Sequence, residues 1–129
     1  MRKVTQQAVE CFYNSTPFKK GNTEIVVSPN KRTISMKLHG NTIAVLRWDS
    51  QHCYGGLRIT NCGWFTTTTK ERLNGLSGVA IHQSKGVWYL NGDAWDGRNK
   101  WIDHDNHSEI RRRRGLKHIS NPKSVIKQG

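Results

Sequence analysis

Long apolar runs are missing from this sequence, and so is any segment that resembles an export signal. Hydrophobic side chains make up 34% of the 129 residues. No stretch approaches the ~20 consecutive apolar residues that a membrane-spanning helix needs. Residues 1–7 are basic and polar and lack the apolar core of a secretory signal. We therefore expect no membrane partner.

Cysteine is scarce, and its spacing fits no known framework. Cys11, Cys53 and Cys62 are odd in number and include no C-x-x-C pair. A disulfide scaffold or a cysteine-rich zinc site needs paired cysteines. The sequence therefore predicts an intracellular protein in a reducing compartment.

The common nucleotide-binding and hydrolase motifs are absent as well. There is no P-loop, no G-x-G-x-x-G and no G-x-S-x-G. Cys53 follows His52 directly, but neighbours in sequence rarely form a catalytic pair. Asp93 and Asp96 each adjoin a glycine and are better explained as turn residues. We predict that the protein is not an enzyme and needs no cofactor.

One segment rich in histidine and aspartate leaves an alternative open. A metal-dependent nuclease could use His104, Asp105 and His107 to hold a divalent ion and activate water. Their spacing matches no established zinc or nuclease pattern, and a polar loop explains the segment equally well. We predict no metal site and keep the nuclease as the weaker alternative.

Positive charge is what the chain has in excess. Its 21 Lys+Arg exceed 9 Asp+Glu, which gives a formal net charge of +12 at pH 7. Residues 98–129 carry nine basic and three acidic side chains, so half of the excess lies in this last quarter. Charge of this size indicates an anionic partner, and nucleic acid is the first to consider.

Four consecutive arginines, Arg111 to Arg114, are the strongest candidate contacts. The planar guanidinium group suits phosphate better than an ammonium group does, although a merely solvated tail is the alternative interpretation. Lys70 and Arg72 lie at a predicted helix start, where free N–H groups favour an anion, while Thr66–Thr69 also fit a simple cap. The pattern does not distinguish DNA from RNA. The predicted nucleic-acid-binding residues are Arg111, Arg112, Arg113, Arg114, Lys117, Lys100, Lys70 and Arg72.

Hydrophobic periodicity predicts an α+β fold. Apolar residues recur with helical spacing over residues 4–15. A short helix is expected from Thr69 to Gly75, with Thr68 and Glu71 as its capping box. We predict an antiparallel sheet of about five to six strands, an N-terminal helix and this short helix after the GWFTTTT turn. Alternation and turn signals place strands at residues 23–28, 33–38, 42–48, 57–61, 79–83 and 87–91.

The same patterns divide the chain into two parts. Residues 1–102 are predicted to form one compact α+β domain. Residues 103–129 hold few apolar side chains among many charges, so we expect a basic, flexible tail.

The five tryptophans have two possible uses. Exposed rings could stack single-stranded bases, at ~1–3 kcal/mol per base, and Arg47 and Lys100 directly precede Trp48 and Trp101. The chain is short of aliphatic residues, so we expect most of the rings to fill the core. This expectation is weaker for Trp95 and Trp101, which lie among turns and charges.

Three segments resemble small proteins of tailed phages. They are residues 38–44 (LHGNTIA), 63–74 (GWFTTTTKERLN) and 88–92 (WYLNG). The resemblance covers roughly residues 5–95 and leaves out the basic tail. It implies a viral origin and action in the cytoplasm of an infected bacterial cell, and it transfers no catalytic residue.

These observations predict a non-enzymatic phage protein that binds nucleic acid through phosphate contacts, made by a basic domain and an arginine-rich tail. An inhibitor of a host protein or nucleoprotein machine is the alternative, because a basic protein also fits an acidic groove. The metal-dependent nuclease is the second alternative.

Overall fold

The computed structural model describes residues 2–49 and 54–102, which form two helices and two antiparallel sheets. The helices are α1 (Lys3–Tyr13) and α2 (Thr67–Asn74). The strands are β1 (Phe18–Lys20), β2 (Thr23–Val27), β3 (Thr33–Leu38), β4 (Asn41–Trp48), β5 (Tyr54–Ile59), β6 (Ile81–Ser84), β7 (Val87–Leu90), β8 (Asp93–Ala94) and β9 (Lys100–Trp101).

The larger sheet has the strand order β1-β2-β3-β4-β5-β9, and the smaller one has the order β6-β7-β8. Strands β1 to β5 follow one another as a meander, and β9 returns to pair antiparallel with β5. The predicted α+β fold, with its N-terminal helix and second short helix, is confirmed. The strands β1, β8 and β9 are additions to the prediction. Each has only two or three residues, too few to show the alternation of apolar and polar residues that identifies a strand.

Alternation along the strands decides which side of the larger sheet is buried. In β3, Ile34, Met36 and Leu38 are buried, while the residues between them are not. Strand pairing continues this buried surface from Met36 to Ala44 in β4 and on to Ile59 in β5. These side chains join the apolar residues of both helices and the smaller sheet in one core cluster.

Helix α1 covers β1, β2 and β3, and α2 contacts α1 and β4 on the same side of the larger sheet. The apolar stripe of α1 is buried at Ala8, Val9 and Phe12. The Tyr13 hydroxyl accepts a 2.8 Å hydrogen bond from the backbone N–H of Ser77. The two helices and the segment after α2 are therefore fixed on one side of the sheet.

The start of α2 differs from the prediction. Thr66, not Thr68, is the N-cap: its Oγ1 accepts a 3.2 Å hydrogen bond from the N–H of Thr69. Four consecutive threonines can each serve as the N-cap residue, so the sequence does not distinguish among them. Glu71 does not complete a capping box with Thr68, because its carboxylate binds Arg2 instead.

Three of the five tryptophans are buried. Trp48, Trp88 and Trp95 belong to the core, whereas Trp64 is 53% exposed and Trp101 is 55% exposed. The expectation that Trp64 fills the core is therefore wrong. Trp95 is buried, although its place among turns favoured exposure. Its ring centroid lies 6.2 Å from that of Trp88, and its Nε1–H donates a 2.9 Å hydrogen bond to the Arg98 carbonyl.

No helix in the described part of the chain has the length and apolar character needed to cross a membrane.

Candidate nucleic-acid interface

One side of the larger sheet faces away from both helices, and we call it the open face. Alternation and strand pairing define it, because residues paired directly across antiparallel strands point to the same side. None of its residues is buried. Its residues are Lys19, Glu24, Val26, Thr33, Ser35, Lys37, Val45, Arg47, Gly56, Arg58 and Trp101.

A row of side chains crosses this face from β2 to β9. Val26 pairs with Ser35, Ser35 with Val45, Val45 with Arg58 and Arg58 with Trp101. The row begins with two valines and a serine and ends with a guanidinium group and an indole ring. Its β5–β9 end therefore combines positive charge with an exposed aromatic surface.

The indole of Trp101 lies against the backbone of Gly56. A Cβ atom placed at residue 56 would be 3.1 Å from Cζ3 and 3.4 Å from Cε3 of the ring. The guanidinium carbon of Arg58 lies 5.9 Å from the centroid of the same ring, within cation–π range. Arg47 lies in β4, on the side of β5 opposite to β9, and pairs with Gly56. We call Arg47, Gly56, Arg58 and Trp101 the Trp101 platform.

The cations of the open face are Lys19, Lys37, Arg47 and Arg58, and its one acidic residue is Glu24. Across the described ranges, the ion pairs are Arg2–Glu71, Arg72–Glu71 and Arg98–Asp96. None of the four open-face cations takes part in them. Glu24 is the cross-strand neighbour of Lys19 and Lys37 and offsets part of their charge, while the face as a whole keeps an excess of positive charge for an external anion.

Most of the excess charge lies on the residues that the structure describes. Residues 2–49 and 54–102 contain 14 basic and six acidic side chains, a net +8 of the total +12. The basic character therefore does not depend on the arginine run alone.

The predicted contacts Lys100 and Lys70 are not on the open face. Lys100 is exposed in β9 and pairs with Ile59, a core residue, so it projects to the opposite side of the sheet from Trp101. Lys70 lies in α2, with its Nζ 3.4 Å from Oε1 of Gln83 and 5.9 Å from the ring centroid of Trp88. Arg111, Arg112, Arg113, Arg114 and Lys117 lie outside the described residues.

Arg72 has a structural position instead of the expected surface one. Its side chain is only 3% exposed. Its Nη1 lies 2.6 Å from Oε1 of Glu71, and its Nε donates to the hydroxyl of Thr23 at 3.1 Å. Thr5 accepts a further hydrogen bond from Nη1. A guanidinium group enclosed in this way joins α1, α2 and β2, so we remove Arg72 from the candidate phosphate contacts.

Glu71 is the counter-charge for this buried arginine. Burial raises the pKa of Glu71, but hydrogen bonds from the Arg2 backbone N–H, the Arg2 guanidinium and the Thr5 hydroxyl outweigh that effect and lower the pKa to about 2. Burial lowers the pKa of Arg72, and repulsion by Arg2 adds to this, whereas Glu71 raises it. Arginine still remains charged at neutral pH.

A separate cavity of about 350 Å³ lies beside the start of α2, lined by Leu38, His39, Ile43, Trp64, Thr66, Thr68 and Thr69. No lysine or arginine is among these lining residues. The N–H groups of Thr69 and Lys70 already donate to Thr66. This arrangement favours the cap interpretation of the threonine turn over an anion site.

Metal ligands do not cluster in the described ranges: no group of three His, Cys, Asp or Glu side chains is placed to hold an ion there. The segment with His104, Asp105 and His107 lies outside those ranges.

The fold and the site define a small α+β protein with a basic, partly aromatic sheet face. A family model, described as the Kyanoviridae Gp96 protein, matches residues 1–111, so the chain belongs to that family of phage proteins. The phage origin that the sequence resemblance implies is thereby confirmed. The match extends beyond residues 5–95 and reaches Arg111. Neither a curated protein nor a solved structure matches the chain.

Proposed function

We propose that this phage protein binds nucleic acid through phosphate contacts, without catalysis, in the cytoplasm of the infected cell. The observation that carries the proposal is the open face, which holds four cations outside the described ion pairs and a single carboxylate. A net charge of +12 favours a polyanion as the partner of such a face.

The arginines of the platform suit two neighbouring phosphates. Arg47 pairs with Gly56, and Arg58 lies two residues further along the same strand. Diagonal neighbours of this kind lie ~7–8 Å apart in antiparallel sheets. Each guanidinium group offers a planar set of donors that matches phosphate oxygens.

The arginine run can act together with the open face. Arg111 follows Ile102 by nine residues in the sequence. An extended chain spans at most ~3.3–3.6 Å per residue, so covalent geometry keeps Arg111 within ~32 Å of the edge where β9 ends. Arg111–Arg114 and Lys117 are therefore within reach of a nucleic acid bound to the open face and can add charge to its binding.

A titration of the full chain with labelled oligonucleotides, followed by fluorescence anisotropy at several salt concentrations, tests the proposal. We expect submicromolar to micromolar binding at low salt, weakening steeply as salt rises, because phosphate neutralisation releases counterions. Absence of binding at low salt, or an affinity that salt does not change, would contradict it. Incubation of plasmid and RNA with Mg²⁺, Mn²⁺ or Zn²⁺ tests the absence of catalysis, which cleavage by the protein would refute.

A further inference from the structure

We propose that the Trp101 platform selects single-stranded nucleic acid by stacking one unpaired base on the indole of Trp101. This inference rests on the proposed function and adds to it the class of nucleic acid. It is carried by the position of the ring, which is exposed, contacts the Gly56 backbone through one edge and lies under the guanidinium group of Arg58.

The ring is held in place although it is exposed. The Cζ3–Cε3 edge of the indole contacts Gly56, and the guanidinium carbon of Arg58 lies over the ring, 5.9 Å from its centroid. At the same time 55% of the residue is exposed, so the indole keeps surface outside these two contacts that a ligand can reach. An aromatic surface fixed before binding loses little conformational freedom when a base stacks on it.

A duplex cannot use this surface in the same way. Its bases are already paired and stacked, and it presents phosphates and groove edges to a flat sheet. A single strand can turn one base onto the indole while its flanking phosphates contact Arg47 and Arg58. Stacking on protein aromatics is tolerant of sequence, because every base has a π-face.

The charge of the face also identifies the occupant. Lys19, Lys37, Arg47 and Arg58 against Glu24 give the open face a net charge of +3. A second copy of the chain would bring the same positive face, and like charges in contact repel each other. A polyanion with planar bases satisfies both the cations and the ring.

Trp64 provides a matched control. It is 53% exposed, nearly the same as Trp101, but it lines a cavity whose walls include Leu38 and Ile43 and no lysine or arginine. Removal of either ring takes away a similar exposed surface. Only the removal of Trp101 takes away an indole that lies under the guanidinium group of Arg58.

The test compares Trp101→Ala, Trp101→Phe and Trp64→Ala in the full chain, with a single-stranded DNA, a single-stranded RNA and a blunt DNA duplex at fixed salt. We expect Trp101→Ala to weaken single-strand binding about 5- to 150-fold and duplex binding less than about twofold. Trp101→Phe should retain most of the single-strand affinity. Trp64→Ala should retain all of it.

Quenching of tryptophan fluorescence by the bound strand gives a second measurement. We expect it to be largely lost in Trp101→Phe and kept in Trp64→Ala, a comparison that does not depend on Trp101→Ala being folded. Unchanged single-strand affinity in Trp101→Ala, equal losses for strand and duplex, or an equal loss in Trp64→Ala would each overturn the inference while leaving the proposed function standing. Absence of wild-type binding to all three nucleic acids would overturn both.

Discussion

The indole of Trp101 in β9 rests on Gly56 in β5, at a point where a single added methyl group would lie 3.1 Å from the ring. Gly56 has a φ of +137°, a backbone conformation that residues with a side chain rarely adopt. Two features therefore favour glycine at position 56: the positive φ of its backbone and the close approach of the Trp101 ring. The contact connects the last described strand, at the edge of the larger sheet, to β5 within the Trp101 platform.

Gly56→Ala should destabilise the fold and displace Trp101. We expect the free energy of unfolding, measured by urea denaturation, to fall by ~1–3 kcal/mol, because strain in the backbone adds to the clash with the indole. In a Trp101→Ala background the clash is gone, so the same substitution should cost less. Equal costs in the two backgrounds would show that the ring does not press on residue 56.

Glu71→Gln should destabilise the junction of α1, α2 and β2. The substitution leaves the buried Arg72 guanidinium without its counter-charge, and we expect a loss of ~2–3 kcal/mol in the free energy of unfolding. Asp96→Asn is the control, because it breaks the Arg98–Asp96 pair, whose side chains are 88% and 65% exposed. That pair should contribute less than ~0.5 kcal/mol. Equal effects of the two substitutions would contradict the structural role of Glu71.

Acid should remove the same stabilisation. The pKa of Glu71 is about 2 in the folded protein, below its ordinary value of 4.5, so the folded state favours the ionised carboxylate. Its contribution is fully present above pH ~4.5 and is lost as the pH falls towards 2. Because Glu71 is 21% exposed, we expect a loss of ~2 kcal/mol. Urea denaturation across this range should show a flatter dependence for Glu71→Gln than for the wild type.

Neutralising the arginine run should weaken binding to single-stranded and to duplex nucleic acid by similar factors. In the full chain, replacement of Arg111, Arg112, Arg113 and Arg114 by glutamine removes up to four phosphate contacts. We expect comparable losses of affinity for single strands and duplex, with a shallower salt dependence, because phosphates carry no sequence information. A loss confined to single strands would assign the selectivity to the run instead of to Trp101.

Periodic segments explain why much of the fold could be predicted from the sequence. Strand β3 alternates cleanly between Ile34, Met36 and Leu38 and the polar residues between them, and its predicted bounds agree with the structure. The short strand β9 has no such period. It forms because the exposed edge of β5 offers partners to Lys100 and Trp101, and that pairing depends on a fold already assembled.

The candidate interface was harder to predict for the same reason. Arg58 alternates with the buried Leu57 and Ile59, which indicates an outward side chain, but nothing local indicates that Trp101 lies beside it. A glycine within a strand signals the close approach of another group without naming it. Arg72 shows the reverse case, because its burial depends on Thr5 and Thr23, which are distant in sequence.

The salt dependence of nucleic-acid binding in Arg47→Gln/Arg58→Gln tests the central claim most directly. Lys3→Gln/Lys85→Gln is the matched control, because it removes the same charge from exposed positions in α1 and in the turn between β6 and β7. For single-stranded DNA, we predict that the slope of log K against log salt becomes shallower by ~1.4 in the arginine variant, since each lost phosphate contact removes ~0.7. The lysine variant should keep nearly the wild-type slope. Equal slopes in the two variants would contradict the assignment of the open face as the binding surface.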